Sequence, residues 1–246
     1  MKSCRARSRL HFVGAVLLLL ACRALPVHGA EIELGASAGG GLLLGYGSFL
    51  DSKAATLAEL GAASLTNGGS SQAQLLPGWT VAAYAQMDLM SWLAIRLEVS
   101  FQSAGAARLA LTSGGAPFDQ YDVYFPSVTV PVLLRAGFAL GPGRLFASVG
   151  PFLGMVAGNV TIMDRYSSAT TTAVIAPDFA HLFYVGLNGG AGYSIPFGPG
   201  VVGVELRSEW SVLAVHVSSG LQGGDIYPIS LNLVVSYGFR MGSSAR

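Results

Sequence analysis

Residues 203–212 read GVELRSEWSV. Val204, Leu206, Ser208 and Trp210 alternate with Glu205, Arg207 and Glu209, so a strand laid through them has one largely apolar face and one ionic face. Only 11% of the chain is charged. Three charges spaced by two therefore demand a wall that is polar on one side and greasy on the other.

The pattern recurs. In LAIRLEVSFQS (Leu93 to Ser103), Ile95, Leu97, Val99 and Phe101 oppose Arg96, Glu98, Ser100 and Gln102. SVTVPVLLRAGF (Ser127 to Phe138) sets Val128, Val130, Val132, Leu134, Ala136 and Phe138 against Ser127, Thr129, Pro131, Leu133, Arg135 and Gly137. ISLNLVVSYGFR (Ile229 to Arg240) sets Ile229, Leu231, Leu233, Val235, Tyr237 and Phe239 against Ser230, Asn232, Val234, Ser236, Gly238 and Arg240. A soluble sandwich also alternates, but it covers its polar face with charge. Here the polar sides hold glycine, serine and isolated charges. Lipid satisfies the unbroken apolar sides, and a closed barrel pairs every backbone group.

The reading is all-β: an eight-stranded antiparallel up-and-down transmembrane β-barrel. Its strands are expected near 32–47, 79–89, 93–107, 122–139, 144–158, 181–195, 200–216 and 227–241. Short turns at 89–92, LGPGR (Leu140 to Arg144) and PFGPG (Pro196 to Gly200) alternate with long connectors near 48–78, 108–121, 159–180 and 217–226. That is the outer-membrane pattern, short turns and both chain ends toward the periplasm. Aromatic belts sort the same way. Trp92, Phe138, Tyr193, Phe197, Tyr237 and Phe239 fall near the short turns, and Tyr46, Trp79, Tyr121, Tyr124, Phe125, Phe183 and Tyr227 near the long connectors.

Composition agrees. The 246 residues are 52% apolar with 33 glycines, and Lys2 and Lys53 are the only lysines. After residue 30 no stretch approaches the 18 or so uninterrupted apolar residues of a spanning helix. At the N-terminus, Lys2, Arg5, Arg7 and Arg9 precede FVGAVLLLLA (Phe12 to Ala21), and VHGA (Val27 to Ala30) ends on small residues. Residues 1–30 read as a secretory signal peptide cleaved near Ala30, and residues 31–246 as the barrel domain. LLAC (Leu19 to Cys22) loosely resembles a lipoprotein cleavage box, which Leu20 before Ala21 fits poorly. Cleavage near Ala30 removes Cys4 and Cys22, hence any disulfide framework or thiolate metal site. It also leaves nine basic residues against 13 acidic ones, a balance of −4 that argues against nucleic acid as a partner. The GPG turns and the glycines of ASAGGGLLLGYG (Ala36 to Gly47) lack the Lys-Ser/Thr of a phosphate loop.

VTVPVLLRAGFALGPGRLFASVGPFLGMVAG (Val128 to Gly158), GLNGGAGYSIPFGPGVVGVELRSEW (Gly186 to Trp210) and LVVSYGFR (Leu233 to Arg240) resemble segments of the small eight-stranded bacterial outer-membrane barrels, the OmpW-like, OmpX-like and OmpA-like group. The chain departs from that group in running on through MGSSAR (Met241 to Arg246) after Phe239, where such barrels usually finish on an aromatic residue. It also lacks the periplasmic peptidoglycan-binding domain of OmpA-like proteins, so envelope tethering is not expected. The resemblance implies insertion by the barrel assembly machinery, outer-membrane lipid as the outer partner, and a narrow passive channel for small, mostly apolar solutes.

Inside such a barrel, Arg96, Glu98, Arg135, Glu205, Arg207, Glu209 and Arg240 face the lumen. Mixed charges in a confined space seek one another, so they form either a resting plug or a gate. The small inward residues Gly35, Ser37, Gly39, Gly41, Ser148, Gly150, Gly154, Gly190 and Gly192 would leave room for a solute or serve curvature. Two other classes compete. One is a non-conducting barrel that binds extracellular ligands through its long connectors, among them DSKAATLAELGAASLTNGGSSQAQ (Asp51 to Gln74), with a short helix and then a flexible tract, and the polar, exposed MDRYSSATTTAV (Met163 to Val174). The other is a lipid hydrolase built on His216 and Ser218 with Asp225 nearby; no glutamate follows in place and His181 has no partner, so no catalytic residue is assigned. No metal or cofactor is expected, because two scattered histidines offer no ligand spacing.

Overall fold

The computed structural model describes residues 31–46, 70–74, 76–113, 116–166, 169–175, 183–218 and 223–241. The signal peptide, the expected helix after Asp51 and His181 lie outside them. Eight long strands close on themselves: β1 (Ile32–Tyr46), β3 (Leu76–Met90), β4 (Leu93–Ser113), β5 (Ala116–Leu140), β6 (Gly143–Val156), β9 (Phe183–Phe197), β10 (Gly200–Ser211) and β12 (Gly223–Met241). Each pairs antiparallel with its chain neighbour among the eight, and β12 pairs with β1 to seal the ring, from Ile32 opposite Met241 to Tyr46 opposite Tyr227. The fold is thus an up-and-down barrel, with the strands where alternation places them.

The connectors correct the sequence reading. Residues 108–113 and 116–121 are strand, since β4 and β5 stay paired through Ser113 and Ala116. The stretch read as an exposed loop at 159–180 holds a hairpin, β7 (Val160–Tyr166) with β8 (Ala169–Ile175), and β7 pairs with β5. Part of the Asn-Gly-Gly-Ser-Ser tract is β2 (Ser70–Gln74), paired with β4. β10 stops at Ser211 instead of 216. Val212 and Leu213 then donate to the Val185 carbonyl, and β11 (Val215–Ser218) resumes against β12. Glycine and polar residues suggest loops, but a backbone with a partner on one edge continues as strand. β4 has 21 residues and β5 has 25, against the roughly 9–11 that cross a bilayer. About half of each therefore stands clear of the apolar band, carrying β2, β7 and β8.

The opposite rim is tight. Gly141 and Gly198 adopt φ of +58° and +57° and each is followed by proline. Positive φ at the first central position with proline at the second gives a two-residue hairpin turn, which is the reason for both GPG sequences.

Polarity is inverted relative to a soluble protein. Leu34, Val81, Leu134, Phe138, Val149, Leu187, Leu206, Trp210, Leu233 and Phe239 are exposed on the outside. Arg96, Glu98, Ser100, Thr129, Asn188, Glu205, Arg207 and Asn232 are buried inside. An apolar belt this continuous is stable only against lipid. Trp92, Phe138, Phe197, Tyr237 and Phe239 ring the short-turn rim on the outer face, and Trp79 packs on Phe101 toward the other rim at 5.6 Å between centroids. Phe125 corrects the belt expectation: it shares parity with Ser127 and Thr129 and is buried in the lumen.

Four of the inward glycines, Gly35, Gly154, Gly186 and Gly192, serve the packing of rings. A Cβ on Gly35 would strike the Tyr84 ring, one on Gly154 the Tyr184 ring, one on Gly186 the Phe152 ring and one on Gly192 the Phe146 ring. The space that glycine leaves open is filled by aromatic side chains from neighbouring strands.

Candidate functional site

The lumen at mid-height is the site. In the ring order β1, β3, β4, β5, β6, β9, β10, β12, strands β4 and β10 stand diametrically opposite. Alternation on β4 puts Arg96, Glu98 and Gln102 inside, and alternation on β10 puts Glu205, Arg207 and Glu209 inside. They meet across the full diameter. Arg207 Nη1 donates to Glu98 Oε1 at 2.6 Å, and Gln102 Nε2 donates to Glu209 Oε2 at 2.5 Å.

From these cross-braces the network spreads around the wall. Arg207 Nη2 also holds Glu205 Oε2 at 3.0 Å on its own strand. Ser148 of β6 donates to Glu205 Oε1 at 2.6 Å, and Asn188 of β9 donates to Glu209 Oε1 at 2.8 Å. Arg135 of β5 donates through Nη1 to Gln86 Oε1 of β3 at 2.5 Å and lies 3.9 Å from Glu205 Oε2. Its guanidinium stacks over Phe146 at 3.7 Å, as that of Arg96 stacks over Tyr84 at 3.5 Å. Such stacking supplies a partly desolvated cation with an electrostatic partner. Arg96 Nη2 approaches Glu98 Oε2 to 2.8 Å without hydrogen-bond alignment, and Arg96 Nε and Nη1 have no hydrogen-bond partner among the described residues.

Arg96, Glu98, Arg207, Glu205 and Arg135 thus form one chain of three cations and two anions, all buried. Glu209 belongs to a neutral amide clamp beside it. Arg240 is elsewhere, at the short-turn rim and half exposed, 3.9 Å from Glu31 and 3.7 Å from Glu33. Sequence reasoning missed Gln86, Gln102, Ser148 and Asn188, which complete the network, and Tyr84, whose hydroxyl donates to Glu33 at 2.9 Å. Their signal was available in part, because Gln102 and Ser148 occupy inward positions.

The backbone sets His216 opposite Asp225 and Ser218 opposite Gly223 on the β11–β12 ladder. The side chains of His216 and Ser218 lie outside the described residues, so no His-Ser contact supports a hydrolase.

A second feature of the wall is a pair of prolines, Pro131 on β5 and Pro151 on β6. The strands keep one register past them, from Leu97 opposite Val132 to Ser100 opposite Thr129 on β4 and β5, and from Pro131 opposite Phe152 to Leu134 opposite Val149 on β5 and β6. Pro131 and Pro151 have no N–H to give, and proline in a paired strand costs a ladder bond. On the outer face lies an open apolar cavity of about 310 Å³ lined by Val81, Val99, Phe101 and Val128 among others.

The chain matches no family model and no curated protein. Among solved structures it is similar to the Neisserial surface protein A (9% identity, 85% of this chain and 98% of that one, TM-score 0.41). It is also similar to the outer membrane protein OprG from Pseudomonas aeruginosa (7% identity, 87% and 97%, TM-score 0.42) and to Ail, the attachment invasion locus protein of Yersinia pestis (10% identity, 87% and 100%, TM-score 0.36). At these scores the fold assignment rests on strand pairing and polarity. By both, the chain is a small eight-stranded transmembrane β-barrel, the architecture of the small outer-membrane barrels.

Proposed function

We propose that this chain is an integral, non-enzymatic protein of the bacterial outer membrane whose lumen is held shut and which acts through the sheet that it raises outside the membrane. Short turns face the periplasm in this reading, and the extensions of β4 and β5 with β2, β7 and β8 face outward as a binding surface. Lipid, the assembly machinery and an extracellular ligand are the partners it implies.

The observation that carries it is the Glu98 to Arg207 bridge between opposite walls. A path for hydrated ions must break that bridge, and separating a buried pair is strongly unfavourable. Planar-bilayer recording of the refolded protein is the test. Silence together with a heat-modifiable, folded band supports a closed lumen, whereas steady single-channel steps from the wild-type protein refute it.

A narrow passive route for small apolar solutes is the second reading, favoured by the ladder bonds that Pro131 and Pro151 cannot donate and by the open apolar cavity on the outer face. Such a route runs through the wall, so it leaves ionic conductance silent. It predicts that the protein speeds transfer of a small apolar fluorophore into lipid vesicles; equal rates with and without protein rule it out.

A further inference from the structure

Below the ionic chain, on the short-turn side, the lumen opens into a cavity of about 30 Å³. Its lining includes Arg135, Arg144 and Arg240 against one carboxylate, Glu33. That carboxylate is engaged, accepting from Tyr84 at 2.9 Å and lying 3.7 Å from Arg240.

The other two arginines are answered only in part. Arg135 is 9% exposed, and its Nε has no hydrogen-bond partner among the described residues. Its nearest carboxylate, Glu205, is 3.9 Å away and is held closer, at 3.0 Å, by Arg207. Arg144 reaches only the Gly137 carbonyl, at 3.5 Å, and no carboxylate of the described residues forms an ion pair with it. Gly137 lies two positions from Arg135 on the same inward face, and a Cβ there would come within 2.8 Å of Arg144 Nε. The missing side chain brings the two guanidiniums to one cavity, where Ser194 and Ser236 add hydroxyl donors.

We propose that this mouth binds a small oxyanion of the phosphate class between Arg135 and Arg144. Guanidinium forks match tetrahedral oxyanions, and a cation that shares its counter-charge, as Arg135 does, or has none within ion-pair reach among the described residues, as with Arg144, gains most from one. The long contacts of Arg144 and Arg240 let the cavity edge adjust to an ion of that size. The phosphate could come from solution or from a phospholipid headgroup at this rim, and the chemistry of recognition is the same.

The test uses the refolded protein in an uncharged maltoside detergent. Inorganic phosphate is titrated at constant ionic strength against chloride, reading calorimetric heat and the unfolding midpoint; a second arm adds a phosphatidylglycerol mixed micelle. Saturable stabilisation by inorganic phosphate supports a free anion, and stabilisation by the phospholipid alone supports a headgroup. In either case Arg144→Ala weakens binding by about tenfold or more, the effect of losing a charge-assisted bond. Arg135→Lys weakens it as well, since the charge stays but the fork is lost. Should Arg144→Ala fail to fold, Arg144→Gln makes the same test. The proposal is overturned if neither probe gives a saturable response, or if Arg144→Ala and Arg144→Gln bind as the wild type does. Conductance is not read, so this outcome is independent of whether the lumen is closed.

Discussion

Glu98 is the residue on which the proposed closure of the lumen depends, and Glu98→Gln is the perturbation that tests it. The side chain is 1% exposed and bridges two guanidiniums, Arg207 at 2.6 Å and Arg96 at 2.8 Å. At an effective dielectric near 20, each unit-charge attraction at ~4 Å between charge centres is worth about 4 kcal/mol. Neutralising Glu98 forfeits both while recovering its own desolvation, so the net loss falls in the range of about 3–5 kcal/mol for breaking a buried pair. The amide keeps the shape, so no cavity adds to the cost. Arg96 suffers most, because it is left with only the Tyr84 ring, whereas Arg207 keeps Glu205 at 3.0 Å. The assay is urea-dependent folding into lipid bilayers, followed by tryptophan fluorescence and by gel mobility with and without heating. Glu98→Gln should lower folding stability by that amount, and Arg96→Met in the same chain should restore most of it. A single variant within about 0.5 kcal/mol of wild type, the range of solvent-exposed pairs, or a double variant no better than the single, refutes the reasoning.

Arg207→Ala should cost less, about 1–3 kcal/mol for its lost charged hydrogen bonds, because Glu98 keeps Arg96 and Glu205 keeps Ser148 and Arg135; the same urea titration ranks the two, and the reverse order is the failing result. Arg207→Ala also removes the ionic brace across the lumen and leaves only the Gln102–Glu209 contact, so bilayer recordings of that variant should show more conductance than the wild type. Spin labels at Leu231, Leu233 and Val235 should be relaxed by a lipid-soluble quencher while labels at Ser230 and Ser236 are not; uniform accessibility would overturn the register. Gly154→Val should destabilise by about 1–3 kcal/mol through overpacking against the Tyr184 ring, and Tyr184→Ala in the same chain should relieve it, as judged by urea midpoints.

The barrel was legible because a two-faced strand has a period of two, and GVELRSEWSV shows that period in its charges. Turn chemistry was legible too, since glycine and proline in LGPGR and PFGPG act locally. The extensions of β4 and β5 were not, because continuation past Ala107 or before Asp122 depends on a partner strand that local sequence does not name. Nor was the pairing of the charges. Arg207 meets Glu98 because β4 and β10 are opposite in the ring and level in height, a property of closure and stagger. The inward glycines were read as vacant space or curvature; for Gly35, Gly154 and Gly192 the meaning lay in Tyr84, Tyr184 and Phe146, which come from other strands.

The seam between β1 and β12 has a temporal consequence. Fifteen consecutive pairs join the first strand to the last, so the ring cannot close until the whole chain has arrived. Until then β1 presents one bare edge of N–H and C=O groups, the template on which foreign strands polymerise. Contacts between such distant parts of the chain also make folding slow. Maturation of this barrel is therefore a vulnerable interval bounded by its final strand, and a nascent chain stopped anywhere before Met241 forgoes part of the seam and leaves edge behind for other chains to join.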